Sequence, residues 1–221
     1  MATNIATARS EAAVLSTNKL IRNTYTLLAM TLIFSTFTAT LSIVMQVPSG
    51  IAFGSFIGGI LLVWFVLPRF ANSAAGIGIV FAVTGLLGLG LGPMLTQYLA
   101  LPNGTQIVAT ALGGTGVIFL GLSGYALTTR RDFSFLGGFL FVGFLVVIGA
   151  MLVNIFLHIP ALSQALSAVI IMLMSGFILY DTSRMINGGE TNYVYATISL
   201  YLSIFNIFIN LLHLLGFAGD D

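Results

Sequence analysis

The residue with the clearest chemical potential is Asp181, an aspartate that lies at the end of a long apolar stretch. A carboxylate at the boundary of an apolar segment usually has a partner that compensates its charge. Arg184 lies three residues further along and could pair with it locally, whereas Arg69 could reach it only through tertiary packing. Alternatively, Asp181 is interfacial and solvated, and the sequence leaves both interpretations open.

A second set of polar side chains recurs near the carboxyl terminus. Successive members are three or four residues apart, so they lie along one face of a helix. The set comprises Ser199, Ser203, Asn206, Asn210 and His213. Such groups are costly in contact with lipid, so this face must point into a bundle of helices. It either hydrogen-bonds to neighbouring helices or lines a polar cavity, and both interpretations stay open.

The composition shows what kind of element carries these residues. Of the 221 residues, 58% are hydrophobic and only 6% are charged, whereas a soluble domain has about a quarter charged residues. The chain is therefore predicted to be an integral membrane protein. Its net charge of +1 provides no basic patch for nucleic acid, and the absence of cysteine excludes a disulfide scaffold and a cysteine nucleophile.

Seven apolar segments are long enough to cross a bilayer core of about 30 Å. Proline, glycine and asparagine mark the turns between them. We predict an all-α fold whose spans 1 to 7 cover residues 24–46, 51–67, 76–99, 105–127, 135–157, 161–181 and 193–217. Small residues favour close helix packing. This pattern occurs at Gly54 and Gly58 in span 2, at Gly88 and Gly92 in span 3, and at Gly113, Gly114, Gly116, Gly121 and Gly124 in span 4.

The seven basic residues predict the orientation. All of them fall in the amino-terminal segment or in the loops after spans 2, 4 and 6, which lie on one side of the membrane. By the positive-inside rule the amino terminus is cytoplasmic and the carboxyl terminus periplasmic. The predicted organisation is a cytoplasmic tail of residues 1–23, a transmembrane domain of residues 24–217 and a short periplasmic tail of residues 218–221.

Serine-protease and metal chemistry can both be weighed against this topology. Residues 121–124 match the Gly-x-Ser-Gly pattern of intramembrane serine proteases, with Ser123 as the nucleophile. The predicted topology places His213 at the opposite end of the membrane, roughly 20 Å away in depth, so the two cannot form a catalytic pair. Two isolated histidines and no paired carboxylates provide no plausible metal-ligand set. We expect no catalytic residues, no metal site and no cofactor.

Several stretches of the chain resemble the Bax inhibitor family. They are residues 91–93, 125–138, 177–182 and 193–215. Residues 15–25 and 186–193 look like the bacterial YccA-like branch of that family. The resemblance runs from about residue 15 to the end of the chain, so it covers nearly the whole sequence.

The resemblance implies a fold and two possible functions. The family fold has seven helices, the last of them surrounded by the other six. YccA-like members bind and restrain FtsH, a membrane-anchored ATP-dependent protease that has membrane regulators of its own. Other members act as pH-sensitive calcium leak pathways that use an aspartate on each of the last two spans. Asp181 matches the first aspartate, whereas Ser203 stands where leak-type members carry the second.

The serine at position 203 bears on the choice between these functions. Two carboxylates that share protons can titrate as a coupled pair near physiological pH, whereas a carboxylate facing a hydroxyl cannot. We therefore hypothesise that any calcium conductance of this chain is weak or insensitive to pH. The leading expectation is a non-enzymatic modulator of FtsH in the bacterial inner membrane, with the polar tail as a disordered handle for the protease. The alternative is a cation leak gated by Asp181, with Arg69 or Arg184 as its latch.

Overall fold

A bundle of long helices forms the protein. The computed structural model describes residues 2–218, and the side chains of residues 14–217. In that part of the chain all regular elements are helical, and seven helices are long and apolar enough to cross a membrane, as predicted. Spans 1 to 7 are Ala2–Val44, Ser49–Phe70, Ala74–Leu99, Gly104–Thr129, Leu136–Leu157, Pro160–Ile186 and Tyr193–Ala218.

Two helix boundaries differ from the prediction by more than three residues. Span 1 begins at Ala2, so the residues that we expected to form a disordered tail continue the first helix, although its apolar membrane segment begins only at Val14. Span 6 extends past residue 181 to Ile186, because Met185 is fully buried and packs into the core. Of the predicted periplasmic tail, residues 219–221 lie outside the described residues.

Span 7 is the most buried of the spans and packs against spans 1, 3, 4 and 6. This agrees with the expected central position of the last helix. The expectation that all six other helices surround it is wrong in detail, because span 5 makes its close backbone contacts with span 6 on the outside of the bundle. Span 2 packs mainly against span 3 and approaches span 7 through the contact between Phe56 and Phe205.

Spans 1 and 3 pack closely through small residues. A β-carbon at Gly88 or Gly92 would collide with Ser35, Thr38 or Ser42 of span 1, which confirms the packing role predicted for this glycine pair. The glycines of span 4 behave differently. A β-carbon at Gly113, Gly116, Gly121 or Gly124 would meet nothing within 4 Å, so the packing interpretation is wrong for these positions.

The disturbance that a proline causes in a helix is relieved by local structure at two positions inside spans. Pro93 has no N–H to donate to the carbonyl of Leu89, one turn earlier in span 3, and the hydroxyl of Ser42 in span 1 donates to that carbonyl instead, at 2.8 Å. In span 2, Pro68 follows a π-helical turn at Leu62–Val66, in which the Leu67 N–H donates to the carbonyl of Leu62. This wider turn relieves the clash that a proline ring makes with an α-helix.

Candidate functional site

Asp181 lies within span 6, a little more than one turn before the helix ends at Ile186. Only 8% of its surface is exposed. The hydroxyl of Ser199 in span 7 donates a hydrogen bond of 2.5 Å to its Oδ2. The partner of the carboxylate is therefore a neutral hydroxyl, and Asp181 is neither solvated nor bound to an arginine.

The two arginines that were candidates for this role have other partners. Arg184 lies 3.8 Å from Glu190 in an ion pair, donates to the carbonyl of Gly189 at 2.7 Å, and lies over the ring of Tyr180. Arg69 donates to the carbonyl of Phe65 on its own helix. Both side chains thus bind groups at the end of the bundle where the spans meet their loops, and a latch on Asp181 would require them to rearrange.

A second polar pair fixes the register of spans 6 and 7. Ser167 Oγ and His213 Nδ1 share a hydrogen bond of 2.8 Å. This pair lies 14 residues from the Asp181–Ser199 pair on each helix, or roughly 21 Å at the rise of an α-helix. The two antiparallel helices are therefore bound to each other by polar contacts near both ends of their interface.

Two further members of the polar stripe form hydrogen bonds along their own helix. The side-chain amides of Asn206 and Asn210 donate to the carbonyls of Leu202 and Asn206, each at 2.8 Å. Ser203 is buried one turn from Ser199. A cavity of about 410 Å³ does border span 7, but it lies against Tyr201, Ile204, Phe205 and Phe208, which belong to a different face of the helix. The geometry thus favours hydrogen bonding over a polar cavity wall.

The sequence did not reveal a cluster that ties the arginine-bearing loops together. Ser183 Oγ accepts a hydrogen bond from the Phe133 N–H at 2.8 Å and donates to the carbonyl of Arg131 at 3.2 Å. Asn187 donates to both oxygens of Ser183. Since residues 182–192 were predicted to form a loop, these side chains were not considered as helix-end contacts. They join the loop after span 4 to the end of span 6.

A similar contact joins the loops after spans 2 and 6. The amide of Asn192 donates to the carbonyl of Ala71 at 3.0 Å and to Asn72 Oδ1 at 2.8 Å. Its Oδ1 also accepts from the Val194 N–H, which caps the start of span 7. The three loops at this end of the bundle are therefore held together by Ser183 and Asn192.

Asp132, in the loop after span 4, is fully exposed. Its Oδ1 accepts a hydrogen bond from the Ser134 N–H at 2.9 Å. The hydrogen bond with the side chain of Ser134 is the larger influence and the one from its backbone N–H the smaller. Both favour the charged form and lower the pKa of the carboxyl below its usual value.

Ser123, the serine of the Gly-x-Ser-Gly pattern, is buried without a hydrogen-bond partner, and His213 is bound to Ser167 instead. The hydroxyl of Thr24 is likewise buried without a hydrogen-bond partner. Within the described residues, no group of three or more histidine, aspartate or glutamate side chains could hold a metal ion.

Comparison with known sequences decides the family. The family model described as "Inhibitor of apoptosis-promoting Bax1" matches residues 17–220. The chain belongs to the Bax inhibitor family. Asp181 and Ser203 therefore lie in the part of the chain that the family model covers.

Bacterial members of the Bax inhibitor family match along nearly their whole length. The "Modulator of FtsH protease YccA" of Escherichia coli K12 is 49% identical over 217 residues, which is 98% of each chain. An uncharacterized membrane protein of Vibrio cholerae is 46% identical over 94% of this chain and 93% of its own. An uncharacterized protein of Pseudomonas aeruginosa is 49% identical over 91% of this chain and 90% of its own. With an E. coli relative named "Inner membrane protein YccA", these matches make the chain a multi-pass inner-membrane protein.

Proposed function

We propose that this protein modulates the FtsH protease of the bacterial inner membrane and performs no catalysis itself. The observation that carries the proposal is the full-length identity of 49% with a protein named as a modulator of that protease. The match covers 217 residues, which is 98% of both chains, so it extends over nearly the whole length of the bundle. In the proposed orientation the amino terminus is cytoplasmic and the carboxyl terminus periplasmic, since all arginine- and lysine-bearing segments then face the cytoplasm.

The mode of action that we propose is that of a slow substrate. An ATP-dependent protease must pull a membrane substrate out of the bilayer from one end, and helices that pack closely resist this. Span 1 is bound to span 3 by the glycine contacts and by Ser42, and span 7 is the best-buried helix. At the proposed cytoplasmic end, the hydrogen bonds of Ser183 and Asn192 hold the loops after spans 2, 4 and 6 together. Engagement would begin at the segment of residues 1–23, which continues span 1 as a helix from Ala2.

Deletion of residues 2–18 tests this mode. FtsH carrying an affinity tag is purified from membranes that contain either the full chain or the shortened one. We expect the deletion to reduce co-purification, while a control deletion of residues 219–221 at the other end leaves it unchanged. Equal co-purification of all three chains would contradict engagement through the amino-terminal segment. Absence of co-purification of the full chain would contradict the proposal that FtsH is its partner.

A cation leak of the Bax inhibitor type is the second candidate. It is favoured by the position of Asp181, a buried carboxylate inside a membrane span whose hydrogen-bond partner is a single hydroxyl. Ionisable groups inside spans commonly mark ion pathways. The two activities do not exclude each other, and calcium flux into liposomes that contain the purified protein distinguishes them, because protease modulation requires no flux.

A further inference from the structure

The cavity of about 410 Å³ lies in the half of the bundle opposite the arginine-bearing loops. It is lined by the last turns of spans 1 and 3, the first half of span 4 and the middle of span 7. Spans 1 and 4 have no close backbone contact with each other along the described chain. Near the loop end the rings of Tyr25 and Phe119 meet at 6.0 Å between centroids and close the gap. Beyond that contact the two helices leave a cleft between them.

The cleft opens towards the side of the bundle. Thr36 and Thr40 of span 1 and Leu112 of span 4 are exposed at its edge, whereas the side chains at its base, such as Tyr201 and Phe205, are buried. Because these residues belong to membrane spans, the exposed edge faces the hydrocarbon of the bilayer. Whatever fills the cleft must therefore enter laterally from the membrane.

The chemistry of the lining fits an uncharged, apolar occupant. None of the lining residues carries a charge, and most are aliphatic or aromatic. The hydroxyls among them already have partners. Ser35 and Tyr201 share a hydrogen bond of 2.6 Å, and Thr36, Thr40 and Thr115 donate to carbonyls one turn earlier on their own helices. An ion or a polar metabolite would find no uncommitted donor and no carboxylate here.

The size of the cavity excludes another helix. A spanning helix of about 20 residues, about 10 Å wide and 30 Å long, occupies about 2,400 Å³. This is several times the volume of the cavity. A hydrocarbon chain is only one methylene wide, and the bilayer supplies it at high concentration beside the opening.

We propose that this cleft is a binding site for one acyl chain of a membrane phospholipid. The chain enters between spans 1 and 4 and lies against the aromatic residues of span 7. The lipid takes the place of the missing contact between spans 1 and 4, in the leaflet opposite the arginine-bearing loops. This site is distinct from Asp181 and does not depend on the proposed action on the protease.

Gly116 provides a direct test. It lines the cleft, and a β-carbon there would meet nothing within 4 Å, so Gly116→Phe adds a ring to the cavity without a clash at the backbone. Gly121 is the matched control. It lies on the same helix, is exposed, has equally free space around a β-carbon, and does not line the cleft.

The experiment uses the full chain in vesicles of phosphatidylethanolamine and phosphatidylglycerol. Part of the phosphatidylethanolamine carries a photoreactive diazirine in its acyl chain, and the crosslinked peptides are located by mass spectrometry. We expect crosslinks on span 4 residues that line the cleft. Gly116→Phe should lower their yield about ten-fold, the loss expected when one or two methylene groups are excluded. Gly121→Phe should leave the yield unchanged.

Two results would overturn the proposal. One is an equal yield of span 4 crosslinks in Gly116→Phe and Gly121→Phe. The other is labelling spread evenly over exposed surfaces such as span 5, which would indicate only the ordinary lipid around the protein. If Gly116→Phe elutes as an aggregate, Gly116→Leu replaces it, because the smaller side chain still enters the cavity, and the same two comparisons apply.

Discussion

Ser199 donates its hydroxyl hydrogen to the buried carboxylate of Asp181, at 2.5 Å, across the interface of the last two spans. The contact joins the central helix to span 6 at the end of the bundle where the loops are bound together. With the Ser167–His213 pair at the other end, it fixes how these two helices align.

Replacement of Ser199 by alanine should destabilise the protein. Asp181 would lose the donor that compensates its burial, and an unsatisfied buried polar group costs about 1–3 kcal/mol. The free energy of unfolding of each variant is measured in mixed detergent micelles. Ser203→Ala is the control, since this hydroxyl is also buried one turn away but does not bind Asp181. Equal losses in the two variants would contradict a specific role for the contact.

Ser42 and Pro93 should be energetically coupled. Ser42→Ala leaves the Leu89 carbonyl without a donor, at a cost of about 0.6–1.7 kcal/mol for such a bond inside a membrane protein. Pro93→Ala restores the backbone N–H that can donate to this carbonyl, so Ser42→Ala should cost less in the Pro93→Ala background. A double-mutant cycle of unfolding free energies measures the coupling. Strictly additive effects would show that Ser42 does not compensate for the proline.

Acid should loosen the loop after span 4 through Asp132. Because hydrogen bonds from Ser134 lower the pKa of this carboxyl in the folded protein, their contribution is present above the ordinary pKa of about 3.9 and is lost as pH falls through the lower, folded value. An NMR titration of Asp132 in micelles should give a midpoint below the ordinary aspartate value of about 3.9 in the natural chain. Ser134→Ala should raise the midpoint, and an unchanged midpoint would contradict the assignment.

Calcium flux should respond little to pH in the natural chain, because Ser203 provides no second carboxylate. Ser203→Asp would place an aspartate one turn from Ser199, and we expect it to make any flux into liposomes more sensitive to pH. Asp181→Asn, introduced into the natural chain and into Ser203→Asp, shows how much of the flux in each depends on Asp181. A steep pH response of the natural chain that disappears in Asp181→Asn would refute the hypothesis.

The number of spans could be predicted from the sequence because apolar length is a property of single segments. Asp181 could be singled out for the same reason, since one carboxylate beside an apolar stretch is conspicuous in the sequence. Its partner was not visible, because Ser199 meets Asp181 only through the register of two helices, while Arg184 is nearer in sequence. The bond from Ser42 to Leu89 likewise depends on how closely spans 1 and 3 approach.

The end of span 6 and the start of span 1 were predicted less well. Thr182 and Ser183 suggest a turn when considered locally, but burial of Met185 and the contacts of Ser183 continue the helix to Ile186. The amino-terminal segment is polar, and polarity alone does not distinguish a helix that projects from the membrane from a disordered tail. Both differences reflect packing or cooperative helix extension that a local pattern does not contain.

The most direct test of the central claim is the rate at which purified FtsH degrades a membrane substrate in proteoliposomes. The account predicts that adding this protein slows degradation of the substrate, while the protein itself is degraded slowly. A matched membrane protein of seven spans from outside the family should leave the rate unchanged. If the substrate is degraded equally fast with and without this protein, the proposal that it modulates FtsH is contradicted.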